Sequence, residues 1–238
     1  MRKALLASLF LLAGCVGVMA PPQPVAPLAD TSAGRLPPPA AAELFVSVVA
    51  RVEPVAEALC RERAQAINCD LRIVVDDRPD QPTNAFQTVD RSGRPIVGFT
   101  LALIADARNA DEIAFVMGHE AAHHVLNHIP RRLQTAQGAA LLAGAMARAN
   151  GATAEGIRAA EAFGAEMGAR SYSKEFELEA DALGTEIALM AGYDPVKGAA
   201  FFSRLPDPGD RFLGTHPPNF ERQAQVARVV ARLRAGGF

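Results

Sequence analysis

The segment His119-Glu120-Ala121-Ala122-His123 sets two imidazoles four residues apart, with a carboxylate directly after the first. Positions four apart share one face of a helix, so both rings can reach a single ion. Neutral imidazole suits Zn²⁺, and two nitrogens plus one carboxylate oxygen leave the fourth coordination position open for water. Glu120 stands about 100° round the helix from His119. It is therefore beside the ion rather than on it, where a general base for that water belongs. The third ligand must come from another element. The run Ser173-Lys174-Glu175-Phe176-Glu177-Leu178-Glu179-Ala180-Asp181 offers carboxylates. Glu177 and Asp181 lie one turn apart, so one can bind metal while the other orients a ligand from behind. Periodicity alone does not choose among Glu175, Glu177 and Glu179.

These groups need a scaffold, and the patterning supplies one. Residues 41–67 carry Leu44, Val48, Val55 and Leu59 at helical steps, with Pro54 as an expected break or kink. The β-branched run Leu71 to Val75 reads as a strand. Two further strands, Ala85 to Val89 and Pro95 to Thr100, flank a turn at Asp90-Arg91-Ser92-Gly93, which predicts a small antiparallel sheet. Asn109 and Glu112 form a capping pair for a helix running to about His128, and Pro130 restarts the chain in the next one. The uncharged, Ala- and Gly-rich stretch Leu133 to Ala147 predicts a buried helix packed closely on its neighbours; a membrane-leaning or substrate-covering segment is the sharper alternative. Another helix runs from Ser173 to a stop at Gly192, Asp194-Pro195 opens the next, and a basic helix covers about Pro218 to Ala235. The class is α+β, predominantly helical.

The chain has 238 residues, half of them apolar, and a formal net charge of −2. That is the balance of a globular protein, and there is no basic excess to hold a nucleic-acid backbone. The N-terminus reads differently. Arg2 and Lys3 precede a short apolar run, and Leu12-Ala13-Gly14-Cys15 resembles a bacterial lipobox, in which Cys15 becomes the lipidated N-terminus after cleavage. A competing cut after Ala20 would release a soluble protein. Residue 16 is Val rather than Asp, which by the lipoprotein resemblance directs the protein to the outer membrane. Seven prolines between Cys15 and Ala40 describe a stiff tether. The expected organisation is thus a signal peptide over 1–15, a tether over 16–40 and one domain over 41–238. With Cys15 assigned to lipid, Cys60 and Cys69 remain as a pair in an oxidising compartment, either bridged or as two buried thiols.

The order of four motifs makes a resemblance specific: Gly118-His119-Glu120-x-x-His123 with His128 further on, then Ser173 to Asp181, then Gly192-Tyr193-Asp194-Pro195, then Thr215-His216-Pro217 with Arg222. Together they resemble the HtpX/BepA-type zinc metallopeptidases, metallopeptidase family forty-eight, over roughly Cys69 to the C-terminus. The resemblance implies a zincin-like domain of gluzincin type holding one Zn²⁺ per chain. It implies His119, His123 and Glu177 as ligands, Glu120 as the catalytic glutamate, and Asp181 as the aspartate behind the site. His128 matches a family histidine read here as structural, because it lies off the ligand face; His124 has no ligand spacing. His216 is placed near the metal with a catalytic part, assisting an oxyanion or blocking the open position, and Arg222 is expected to hold a carboxylate, the substrate's or a nearby one. Asn84-Ala85 resembles the family's strand at the active-site edge, where an extended substrate adds by backbone hydrogen bonds. After that point the sequence departs from the Gly-rich turn of many relatives.

The implied function is hydrolysis of peptide bonds in misfolded envelope proteins, with polypeptide substrates, a lipid-anchored periplasmic location and no nucleic-acid partner. The rival is a zinc-stabilised, chaperone-like binding lipoprotein whose site is blocked.

Overall fold

The computed structural model describes residues 34–171, 173–207 and 216–236. The expected signal peptide, Cys15, most of the tether, Tyr172 and Thr215 lie outside them. The first helix, α1 (Pro38–Arg63), begins inside the segment expected to be tether, because a proline in the first helical turn forfeits no hydrogen bond and presets φ. Pro54 stays within the helix. One face of α1 buries Phe45, Val48, Val52 and Leu59. At its end Cys60 is bonded to Cys69, with Cα atoms 5.7 Å apart, so of the two expectations for these cysteines the bridge is the one present. Closing so short a loop stabilises the fold by about 2–3 kcal/mol.

The sheet has three strands, β1 (Arg72–Asp76), β2 (Ala85–Val89) and β3 (Pro95–Thr100), in the order β1-β3-β2. β2 and β3 form the expected antiparallel hairpin. In its turn Asp90 Oδ1 accepts hydrogen bonds from the Ser92 and Arg94 amides, and Gly93 takes φ +83°. The expectation of an all-antiparallel sheet is corrected by β1, which pairs parallel to β3. The connection over 77–84, with Pro79 and Pro82, carries the chain past β3 to its far edge rather than folding back beside β1. β3 is therefore central, burying Val97 and Phe99, with the Phe99 ring edge-on to Phe45 at 5.0 Å. β2 is left as an edge.

Thr100 caps α2 (Leu101–Asp106) through its side chain. Asn109 caps α3 (Ala110–Val125) by accepting from the Glu112 amide at 3.0 Å, and the Glu112 carboxylate in turn accepts from the Arg108 amide and from Arg204. After α3 come α4 (His128–Ala149), α5 (Ala154–Ser171), α6 (Ser173–Met190), α7 (Pro195–Ala199), a 3-10 turn (Ala200–Arg204) and α8 (Asn219–Gly236). α3 is buried on nearly all sides, among α1, α6 and α7. It meets α6 at a glycine crossing. A Cβ on Gly184 would stand 2.7 Å from the His119 backbone nitrogen, and one on Gly118 would stand 2.8 Å from the Gly184 carbonyl oxygen. Only residues without a side chain let the two helices approach so closely.

The buried helix expected over Leu133 to Ala147 is corrected. α4 and α5 form a long hairpin that packs chiefly on itself. Gly144, Gly164 and Gly168 face inward, whereas Leu141, Leu142, Met146 and Phe163 are exposed. The small residues of this stretch serve close helix pairing, not burial of the whole helix. Among the described residues no helix is long and apolar enough to cross a membrane.

Candidate metal centre

α3 delivers His119, Glu120 and His123 from one turn, and α6 delivers Glu177 and Asp181 from one turn facing it. The Nε2 atoms of His119 and His123 are 3.1 Å apart. Glu177 closes the triangle, with Oε2 3.6 Å from His119 Nε2 and Oε1 3.4 Å from His123 Nε2. Among the described residues this is the group of donors that could hold an ion, two nitrogens and a carboxylate within 4.8 Å of one another. A tetrahedral zinc with bonds of 2.0–2.2 Å puts neighbouring ligand atoms ~3.3–3.6 Å apart. The donor set and its spacing fit such an ion. Glu175 and Glu179 are not part of the triangle, so α6 turns one of its three candidate glutamates toward His119 and His123.

Each imidazole is backed on its other nitrogen. His119 Nδ1 lies 2.9 Å from Asp181 Oδ1. Asp181 is fully buried and is forked by Arg222 from α8, whose Nε and Nη2 donate to its two oxygens at 2.8 and 2.6 Å. Arg222, itself buried, also comes within 3.5 Å of Glu177 Oε2, and its guanidinium covers the Phe202 ring at 3.8 Å. The carboxylate that sequence reading left open for Arg222 is Asp181. On the other side His123 Nδ1 meets His128 Nδ1 at 2.8 Å, and His128 Nε2 meets Glu179 Oε2 at 3.1 Å. Arg131 Nη1 donates to the same Glu179 oxygen at 2.6 Å. This group was missed because residues five apart on a continuous helix point about 140° away from each other. The helix is not continuous: Asn127 adopts the left-handed conformation with φ +58°, and the turn it makes swings His128 back under His123. The available signal was Asn127 itself, since Asn tolerates that conformation better than most residues.

Two imidazole nitrogens facing each other at 3.1 Å cannot both carry protons and positive charge. Burial and the Arg222 charge push His119 down, but hydrogen bonds to Asp181 and Glu177 outweigh them and its pKa is raised. His123 goes the other way, lowered by burial and by the charge on His119. Burial also opposes ionisation of Glu177, yet the hydrogen bond and charge of His119, with Arg222 and His123, hold it well below the usual carboxylate range. Glu120 is pushed up to about 7, first by burial, with Glu177 and Asp181 raising it against the pull of His119 and Arg222. A carboxyl with that affinity exchanges its proton readily near neutral pH.

Two cavities meet at this point, and Glu120, His123, Glu177 and His216 line both. One, of about 280 Å³, is walled by Leu103, Phe115, Val116 and Phe202 and carries Asn84 and Ala85 at the start of β2. The other, of about 410 Å³, is bounded by Gln87 and Thr88 further along β2 and by Ile129 and Arg132 of α4. The edge strand thus runs past the centre from one cavity to the other. His216, half exposed, places Nε2 3.9 Å from Glu177 Oε2. His124 bonds the Asn68 carbonyl at 2.7 Å, away from the triangle.

Two imidazoles one helical turn apart, facing a glutamate from a second helix beside an edge strand, make a candidate metal centre. The chain belongs to peptidase family M48, whose sequence profile matches residues 48–230. It is 28% identical over 150 residues to the beta-barrel assembly-enhancing protease of Escherichia coli (strain K12), a match covering 56% of this chain and 30% of that protein. The protein of that name in Shigella flexneri matches to the same extent. A Vibrio cholerae protein provisionally given the same name is 33% identical over 123 residues, covering 49% of this chain and 25% of its own length. The similarity therefore spans less than a third of each of these relatives.

Proposed function

We propose that this protein is a zinc-dependent metalloendopeptidase of the bacterial envelope that hydrolyses peptide bonds in polypeptides, misfolded envelope proteins among them. The reading is carried by the convergence of His119, His123 and Glu177 at tetrahedral spacing with Glu120 in the wall beside them. Zinc in such a site supplies Lewis acidity, which makes water a nucleophile near neutral pH and polarises a carbonyl. The chain supplies the rest. An extended substrate adds to the edge of β2 at Ala85 through backbone hydrogen bonds, its side chains alternating into the cavities, while Asn84 beside it, whose amide and carbonyl are bonded to Thr100, offers its side chain. The Glu120 carboxylate takes a proton from the attacking water and returns it to the departing amine. In the metal-free site burial raises the proton affinity of Glu120. Arg222 holds Asp181, Asp181 holds the His119 ring, and Arg222 puts positive charge beside Glu177.

The deciding experiment is Glu120→Gln in the full chain. Retained zinc with nearly all turnover of an unfolded protein substrate lost is expected; full turnover removes Glu120 from the role. A second reading rests on His216, which lines both cavities and stands close to Glu177. If it occupies the open position, the protein grips unfolded clients without cutting them. Wild-type protein that holds an unfolded client and leaves it intact, with or without chelator, would establish that reading. The lipid anchor at Cys15 and the periplasmic face of the outer membrane belong to the same proposal, on the strength of the Leu12-Ala13-Gly14-Cys15 motif. Cys15→Ala should move the protein out of the membrane fraction.

A further inference from the structure

Behind His123 stand three groups to which the proposed hydrolysis gives no part: His128, Glu179 and Arg131. We propose that His128 is a positioning residue for His123, locked in one tautomer by the Glu179–Arg131 pair, and that this relay sets how tightly the centre grips its metal. The inference rests on reading His119, His123 and Glu177 as the ligand set.

The contact between His123 Nδ1 and His128 Nδ1, at 2.8 Å, has room for one proton. If His123 is to offer the lone pair of Nε2 to an ion, its proton must sit on Nδ1 and point at His128. His128 then accepts at Nδ1 and, being neutral, carries its own proton on Nε2, facing Glu179 Oε2 at 3.1 Å. A carboxylate only accepts, and Arg131, which only donates, binds that same oxygen at 2.6 Å and keeps it ionised. All the contacts therefore run one way, outward from the metal ligand. The reverse polarity would leave the proton on His123 Nε2 and abolish ligation.

The geometry is held in place independently of the metal. The His128 ring stacks on Phe176 with centroids 4.5 Å apart and planes 9° from parallel. The Arg131 guanidinium lies 4.3 Å from the centre of the same Phe176 ring. His128 is buried, so water does not replace its partners, and it is set there by the left-handed Asn127. Packing alone would explain a flat ring against Phe176; it would not explain two ring nitrogens both placed on hydrogen-bonding partners.

The test compares zinc dissociation constants, by chelator competition on the purified full chain, for wild type, His128→Phe, His128→Asn and Glu179→Ala. His128→Phe keeps a planar ring on Phe176 and removes both nitrogens; zinc binding should weaken ~10–100-fold, the usual cost of losing a ligand's outer partner. His128→Asn retains an acceptor near the place of Nδ1 and should recover part of the loss. Glu179→Ala, at a half-exposed position, should weaken binding in the same direction by less. Imidazole nitrogen NMR of the zinc-loaded protein should find the His128 proton on Nε2. Wild-type affinity in His128→Phe, or in Glu179→Ala if the Phe variant does not fold, overturns the relay, as does a proton on His128 Nδ1. A wild-type chain that binds no zinc overturns the ligand set itself, a result the comparison keeps distinct.

Discussion

The two imidazoles of the centre are supported in opposite ways. Behind His119 the support is dry: Asp181 is fully buried, and the Arg222 side chain that forks it is 8% exposed. Behind His123 the support ends at the surface, where the Glu179 and Arg131 side chains are 43% and 41% exposed. A buried pair is costly to break, because removing one partner strands a charge away from water. An exposed pair adds little to stability, since water and salt substitute for it. The buried side thus ties the centre to folding of the whole domain through α3, α6 and α8, whereas the exposed side holds the His123 ring at little cost to the fold.

The strongest way to break this contrast is Arg222→Leu, which takes the guanidinium from buried Asp181 and leaves the His119 ring to hold it alone. Unfolding by denaturant should show a loss of about 3–5 kcal/mol, with zinc binding impaired as well; a stable variant with intact zinc would erase the distinction. Gly184→Ala probes the buried side without touching a charge. Its methyl group would press on the His119 backbone, so a loss of about 1–3 kcal/mol and a displaced His119 are expected. Calorimetry beside zinc titration would read both.

The proton balance separates the two sides by sign. On the buried side metal-free His119 holds its proton up to about 9, so its contribution is complete below the ordinary imidazole value near 6.5 and is lost as pH rises from there to about 9. On the other side His123 and His128 are both lowered, chiefly by burial, and stay neutral through that window. Metal-free protein should therefore lose stability between pH 6.5 and 9 while zinc affinity grows, with the His119 proton released on zinc binding at the lower end, together with that of Glu120 where it is still held. Parallel movement of the two curves would place the shared proton elsewhere. The smallest effect belongs to Arg131→Gln: less than about 1 kcal/mol in stability, with a few-fold weaker zinc site by chelator competition.

Much of the buried side was legible in the chain. Spacing of four puts His119 with His123 and Glu177 with Asp181, and each pair shares a helical face because nothing interrupts α3 or α6 there. The β2–β3 hairpin was legible for the same local reason, a turn sequence between two short strands. What escaped depends on distant packing or on one backbone angle. β1 joins the far edge of β3 because the 77–84 connection crosses over, which no residue in β1 announces. His128 escaped because a helical wheel does not include the turn at Asn127. The α4 stretch lacks charge, and that lack encodes close pairing with α5 at Gly164 and Gly168 rather than enclosure by the domain.

The α4–α5 hairpin has a consequence of its own. Because its helices lean mainly on each other, and its tip at Asn150, Gly151, Ala152 and Thr153 is exposed, the tip is a permissive junction. A peptide tag or a small guest domain spliced there would lengthen an arm that packs chiefly on itself, giving a handle for immobilising or tracking the protein.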